Sequence, residues 1–262
     1  MKVSIFITCL SDGIYPNVGK AMARLLAHCG VAADFPVMQT CCGQPAFNSG
    51  YWNEARAAAK NIIDAFSESD FVVSPSGSCT GMIHHYFPKL FEHDEKYRKK
   101  AEDLIEKTYE FTQFLVHVLE VGDLGAVYPH QVTYHPSCHA GRLLGVKDEP
   151  LKLLQNVQGL QLVPLPYAED CCGFGGTFAV KMSDISGAMA AEKADHVLET
   201  EAEVLTGLDM GCLMNIGGHL RYRGETVQVK HVAEILWEGV SRKHERDEST
   251  NGEGAVKAGA GK

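Results

Sequence analysis

The chain has 262 residues, a formal net charge of -9 and 45% hydrophobic residues, enough to bury the core of one large domain or two smaller ones. Acidic and basic residues are mixed with no long basic run, which argues against a nucleic-acid partner, and no apolar stretch reaches the roughly 20 residues of a bilayer span. The opening MKVSIFITCL lacks a signal-peptide pattern, so the nine cysteines are expected in a reducing cytoplasm, where repeated cysteines bind metal or do redox chemistry.

In chain order, β-rich runs predict strands near 2–8, 33–38 and 70–74, and apolar periodicity predicts helices near 16–28, 51–67 and 80–90. A long helix is expected over 94–121, followed by VGDLGAVYP, with no counterpart elsewhere in the chain. Strands near 130–135, 160–165, 203–207 and 226–230 then alternate with helices near 148–157, 182–199, 211–221 and 231–241. The closing SRKHERDESTNGEGAVKAGAGK is charged and then Gly/Ala-rich, as a disordered tail would be. The expected fold is α/β, with two duplicated halves built on mainly parallel sheets, 1–93 and 130–241. A helical connector over 94–129 joins them, and the disordered tail covers 242–262.

The duplication is carried by the cysteines. Cys9, the pair Cys41 and Cys42, and Cys79 read C-x31-CCG-x35-C; Cys138, the pair Cys171 and Cys172, and Cys212 read C-x32-CCG-x38-C. Flanking text follows the same alignment: VSIFITC matches QVTYHPSC, and the Ala-rich run after the first CCG matches SGAMAAEKADHVLETEAEV after the second. Each cysteine falls after a strand or at the entry to a helix, which in an open parallel sheet is the carboxyl edge where ligands bind.

Thiolates are soft ligands, and four per half can complete an iron-sulfur cluster or a zinc site. Structural zinc more often uses close C-x2-4-C pairs, whereas here three distant loops contribute around an adjacent pair, which suits a larger inorganic core. Gly43 and Gly173 are expected to allow a left-handed turn or a close approach, and to offer N–H groups to sulfur.

These two sets, with PSGSC and DMGC at their ends, resemble the duplicated CCG domains found in heterodisulfide reductase and in the iron-sulfur subunits of glycolate and anaerobic glycerol-3-phosphate oxidases. They resemble most the lactate utilization protein A family, over about residues 1 to 240. The resemblance implies an iron-sulfur protein, with one or two clusters of the [4Fe-4S] type per chain, held by the eight paired cysteines. It implies partner subunits, one of them a ferredoxin-type iron-sulfur subunit, in a complex that oxidises L-lactate to pyruvate. The family pattern ends in CxxC, and here Ser76 and Asp209 replace the first cysteine of that pair. Four thiolates per half remain, and Asp209 is a candidate oxygen ligand. Five-cysteine sets in the heterodisulfide reductase relatives act directly on a disulfide; a thiol/disulfide reductase and a cluster-dependent redox sensor are the alternatives to an electron-transfer subunit.

Cys29, on an apolar helix face, reads as a small core residue. His84, His85, His135, His139 and His219 lie near the cysteines, where a histidine can tune a cluster or relay a proton, and read more simply as hydrogen-bonding or surface residues. No flavin or dinucleotide fingerprint accompanies GFGG at 173–176, so a two-electron acceptor for a hydroxy acid must come from a partner. Any membrane association is expected through partners.

Overall fold

The computed structural model describes residues 1–243. The first half runs β1 (Val3–Ile5), α1 (Cys9–Gly13), α2 (Pro16–His28), β2 (Ala33–Asp34), α3 (Gln44–Asn48), α4 (Trp52–Ala65), β3 (Phe71–Ser74), α5 (Gly77–Leu90), α6 (Glu95–Lys107), β4 (Thr108–Glu110) and α7 (Phe111–Gln113), which widens into a π-helical turn, Phe114–Val118. The second runs β5 (Gln131–His135), a π-helical turn (His139–Leu144), α8 (Asp148–Gln155), β6 (Gln161–Val163), α9 (Phe178–Lys181), α10 (Ser183–Glu199), β7 (Val204–Gly207), α11 (Met210–Tyr222), β8 (Gln228–His231) and α12, over 232–243. Each half builds a four-stranded parallel sheet, ordered β2-β1-β3-β4 and β6-β5-β7-β8.

Local chemistry explains the elements that carry the cysteines. Helix α2 starts on Pro16, whose missing N–H costs nothing there, and buries Val18, Ala21, Met22, Leu25 and Leu26 at helical spacing. Each of its larger apolar side chains contributes about 1.5–3 kcal/mol on burial. Helix α5 is capped by Ser76, whose Oγ accepts from the Cys79 N–H at 3.2 Å. Strands β3 and β7 are short and almost fully buried, as strands covered on both faces are.

One apolar core runs through both sheets, joining Val3, Ile5, Val73 and Phe111 to Val132, Tyr134, Val204 and Ile235. The halves also interlock directly: α5 packs on the 139–144 turn, and α11 packs on α1. At the first contact a Cβ on Gly77 would stand 2.5 Å from the Ala140 Cβ, so the approach requires glycine.

Two expectations need amendment. The segment 94–121 is not one helix: α6 ends at Lys107 and the chain enters β4, which pairs with β3 from Val72↔Thr108 to Ser74↔Glu110. Strand β4 with α7 is the counterpart of β8 with α12, so part of the expected connector belongs to the first sheet. The strand expected over 33–38 stops at Asp34 because Pro36 follows, and Gln39 N–H closes a turn on the Pro36 carbonyl. From residue 244 onward the expected disordered tail lies outside the described residues.

Candidate metal centres

Both halves deliver their cysteines by the same route. Cys9 and Cys138 follow the first strand of their sheets, the CC pairs lie in the loop after the second, and Cys79 and Cys212 stand in the first turns of α5 and α11. All eight therefore meet at the carboxyl edges of two parallel sheets. Cys9 Sγ lies 3.8 Å from Cys41 Sγ, and Cys42 Sγ lies 3.4 Å from Cys79 Sγ. In the second half Cys171 acts on Cys138 closely enough to raise its pKa. There Cys172 and Cys212 share a buried group with His135 whose donor atoms all lie within 4.8 Å of one another. Every cysteine is a free thiol.

Gly43 and Gly173 do what their position predicts. Their φ angles are 86 and 79°, and their N–H groups donate to Cys41 Sγ at 3.5 Å and Cys171 Sγ at 3.4 Å. A Cβ on Gly173 would come within 2.8 Å of the Ser186 carbonyl oxygen, and one on Gly43 within 3.0 Å of that of Ala55.

The sulfurs are too crowded to ionise together. Cys41 is drawn well below the thiol range by hydrogen bonds from Cys42, then Cys9, with help from the Gly43 N–H. Cys171 is drawn down in the same way by Cys138, Cys172 and Gly173. The thiols that donate to them, Cys9, Cys42, Cys138 and Cys172, are pushed up by those same bonds and by burial. Each half thus favours a thiolate at the first cysteine of its pair, and a cation is what would let its neighbours ionise. This donor set fits a soft metal or metal cluster.

Ser76 and Asp209 meet each other across the seam between the halves. Asp209 Oδ1 accepts from Ser76 Oγ at 2.7 Å and Ser78 Oγ at 2.6 Å; Oδ2 accepts from Ser78 N–H at 2.9 Å and Ser137 Oγ at 2.6 Å. Four donors fill the lone pairs of the buried carboxylate, leaving none aimed at a metal. Nearby, His231 Nδ1 accepts from the Ala233 N–H, so its Nε2 donates to the Pro75 carbonyl at 2.8 Å, a second polar tie between halves. A cavity of about 220 Å³ opens beside this seam, walled by Cys9, Cys41 and Cys79 on one side and Phe174, Val180 and Asp209 on the other.

Most of the other singled-out residues are structural. His84 Nε2 pairs with the Thr108 carbonyl, His85 Nε2 with that of Leu143, and His219 Nε2 accepts from Arg223. His139 Nδ1 touches Cys138 Sγ at 3.4 Å. Cys29 is half-buried against the shared core, and burial raises its pKa. His135 is different: it is buried, neither ring nitrogen has a partner among the described residues, and burial followed by the Lys193 charge holds it neutral, down to about 3. Lys193 is buried too, its Nζ donating to the Tyr167 and Ala168 carbonyls at 2.6 and 3.0 Å, within electrostatic reach of Cys171, Cys172 and Cys212. His135 is marked in the sequence by its place three residues before Cys138, but nothing local marks Lys193, because its neighbours come from other loops.

Fold and site together define an α/β protein made of two copies of one cysteine-rich domain. A family model, CCG, described as a cysteine-rich domain, matches residues 3–84 and 132–217. "Lactate utilization protein A 2" of Bacillus cereus (strain 03BB102) is 54% identical over 242 residues, covering 92% of this chain and 100% of the relative. "Lactate utilization protein A" of Oceanobacillus iheyensis is 56% identical over 236 residues, covering 90% and 96%. The chain belongs to the lactate utilization protein A family. Among solved structures, glutamate racemase isoform RacE1 from Bacillus anthracis is 8% identical with a TM-score of 0.36, covering 94% of this chain and 82% of that one. A putative Asp/Glu racemase from Yersinia pestis is 10% identical with a TM-score of 0.38, covering 93% and 99%.

Proposed function

We propose that each half holds an iron-sulfur cluster of the [4Fe-4S] type, and that the chain passes electrons within a multi-subunit complex oxidising L-lactate to pyruvate. The observation that carries this reading is the pair of four-cysteine sets, each with a glycine N–H on sulfur, beside one polar seam. Such a cluster supplies one-electron storage. The chain's own residues supply the rest: Ser76 fixes the first turn of α5 and with it Cys79, while Gly43 and Gly173 donate to thiolate sulfur. With both fifth-cysteine positions engaged in the Ser76–Asp209 bond, the four-thiolate set is favoured over direct disulfide chemistry.

Lactate carbon must be oxidised by a two-electron group on a partner, with electrons passing through a ferredoxin-type subunit. Exposed apolar side chains suit such docking: Ile14, Val37, Met38, Met182, Ile185 and Val180, the last of which lines the cavity beside Cys9, Cys41 and Cys79. No helix among the described residues is long and apolar enough to cross a membrane, and a cytoplasmic place fits the free thiols.

Zinc is the second reading, for one reason. A tetrahedral zinc with bonds of about 2.3 Å sets its sulfurs about 3.8 Å apart, and Cys9 and Cys41 stand at 3.8 Å. Anaerobic purification with iron, acid-labile sulfide and zinc counted per chain separates the two. About eight iron and eight sulfide, halved in Cys41→Ser and in Cys171→Ser, is the expected result; zinc without sulfide refutes it.

A further inference from the structure

The two halves are duplicates, and their differences are informative where they face the cysteines. Three residues before Cys9 stands Phe6; three before Cys138 stands His135. The strand registers agree, since Ile5 pairs with Val73 in β3 as Tyr134 pairs with Thr206 in β7. Helices α4 and α10 align through their glycine contacts, Gly43 against Ala55 and Gly173 against Ser186. Their buried positions then correspond: Ala55, Ala59, Ile62 and Ile63 with Ser186, Ala190, Lys193 and Ala194. Lys193 thus stands where the first half has Ile62.

Phe6 packs with Cys42 and Cys79 in a wholly apolar cluster and stacks edge-on to Phe66 at 5.6 Å. In the second half the same place holds an imidazole whose nitrogens have no partner among the described residues, beside Cys172 and Cys212. A buried polar ring left unpaired costs stability unless something in the site engages it. An ammonium group lies nearby, held by two carbonyls; the Asp170 carboxylate that faces it, where the first half has Thr40, is exposed and screened by water, whereas the ammonium is buried.

We propose that His135 and Lys193 set the second centre at a higher reduction potential than the first, so that an electron shared between the two rests on the second half. Reduction adds negative charge to a centre; a nitrogen contact and a buried cation stabilise that charge, whereas Phe6 and Ile62 offer carbon alone. The internal step is balanced: the first centre loses one electron, the second gains it, and no bond is made or broken. This inference rests on the iron-sulfur reading above.

The test is a potentiometric titration followed by EPR on the full, anaerobically purified chain. Cys41→Ser leaves the second centre and Cys171→Ser leaves the first, so their midpoints are read separately; the expected order is second above first. His135→Phe and Lys193→Ile, which install the residues of the first half, should each move only the higher midpoint downward. Phe6→His should move the lower midpoint upward. Equal or reversed midpoints in the two cysteine variants overturn the proposal without relying on a histidine variant that misfolds for other reasons. Midpoints in the expected order that ignore His135→Phe and Lys193→Ile overturn it also. Protein lacking iron and sulfide instead fails the cluster reading, and metal analysis shows this before any potential is measured.

Discussion

Asp209 is a carboxylate with no cation paired to it among the described residues, kept in a buried place by four hydrogen-bond donors from both halves. Asp209→Ala should cost about 2–4 kcal/mol, because it strands the Ser137 hydroxyl and the Ser78 N–H and leaves the Ser76 and Ser78 hydroxyls only each other. Denaturant midpoints measure that loss. Metal and sulfide per folded chain should stay unchanged, and their fall to half would mean the carboxylate serves as a ligand after all. Gly173→Ala is a backbone test of a different kind. With φ at 79° and the Ser186 carbonyl 2.8 Å from the new Cβ, it should destabilise by about 1–3 kcal/mol and disturb the N–H bond to Cys171. Gly13→Ala, with nothing within 4 Å of its Cβ, is the control.

At the scale of the element, β4 and α7 meet at Glu110, whose side chain caps the helix by accepting from the Thr112 and Gln113 N–H groups. It is fully buried and its Oε1 has no partner among the described residues, so burial raises its pKa to about 7 despite the Thr112 bonds. Between the ordinary value of 4.5 and about 7 the folded state binds more protons than the unfolded one. Stability should therefore fall as pH rises through that window, by about 3 kcal/mol in all. Thermal melts of the native chain and Glu110→Gln from pH 4 to 8 should differ in that slope; parallel curves would show that Glu110 does not titrate there. This same element escaped sequence reading. Thr108, Tyr109 and Glu110 are too few to show alternation, and they continue the amphipathic pattern of α6, so only pairing with β3 marks them as a strand. The cysteine sets, the parallel strands and the two glycines were legible because they repeat at long range. His135 was legible as a histidine near Cys138 but its burial without a partner was not, and Lys193 was not legible at all, since an orphaned nitrogen and a buried ammonium exist only once separate loops have been folded together.

For the molecule as a whole, the shared core makes separate unfolding of the halves unfavourable. Val3 and Val73 pack in one cluster with Val132 and Val204, and Asp209 and His231 hold Ser76 and Pro75. Metal-free protein should unfold in urea as a single transition seen alike by fluorescence and circular dichroism. Two separated transitions would mean that the seam is weak and each half has its own stability.

The interlocking of α5 with the 139–144 turn is answered by that of α11 with α1. Helices α5 and α11 occupy equivalent places, and so do α1 and the turn, so the contact is reciprocal, as in a two-fold homodimer. A half cut from the chain would expose a face whose natural cover is a second copy of itself. Fusion into one polypeptide makes that pairing independent of concentration and frees each copy to diverge, as His135 and Phe6 have done.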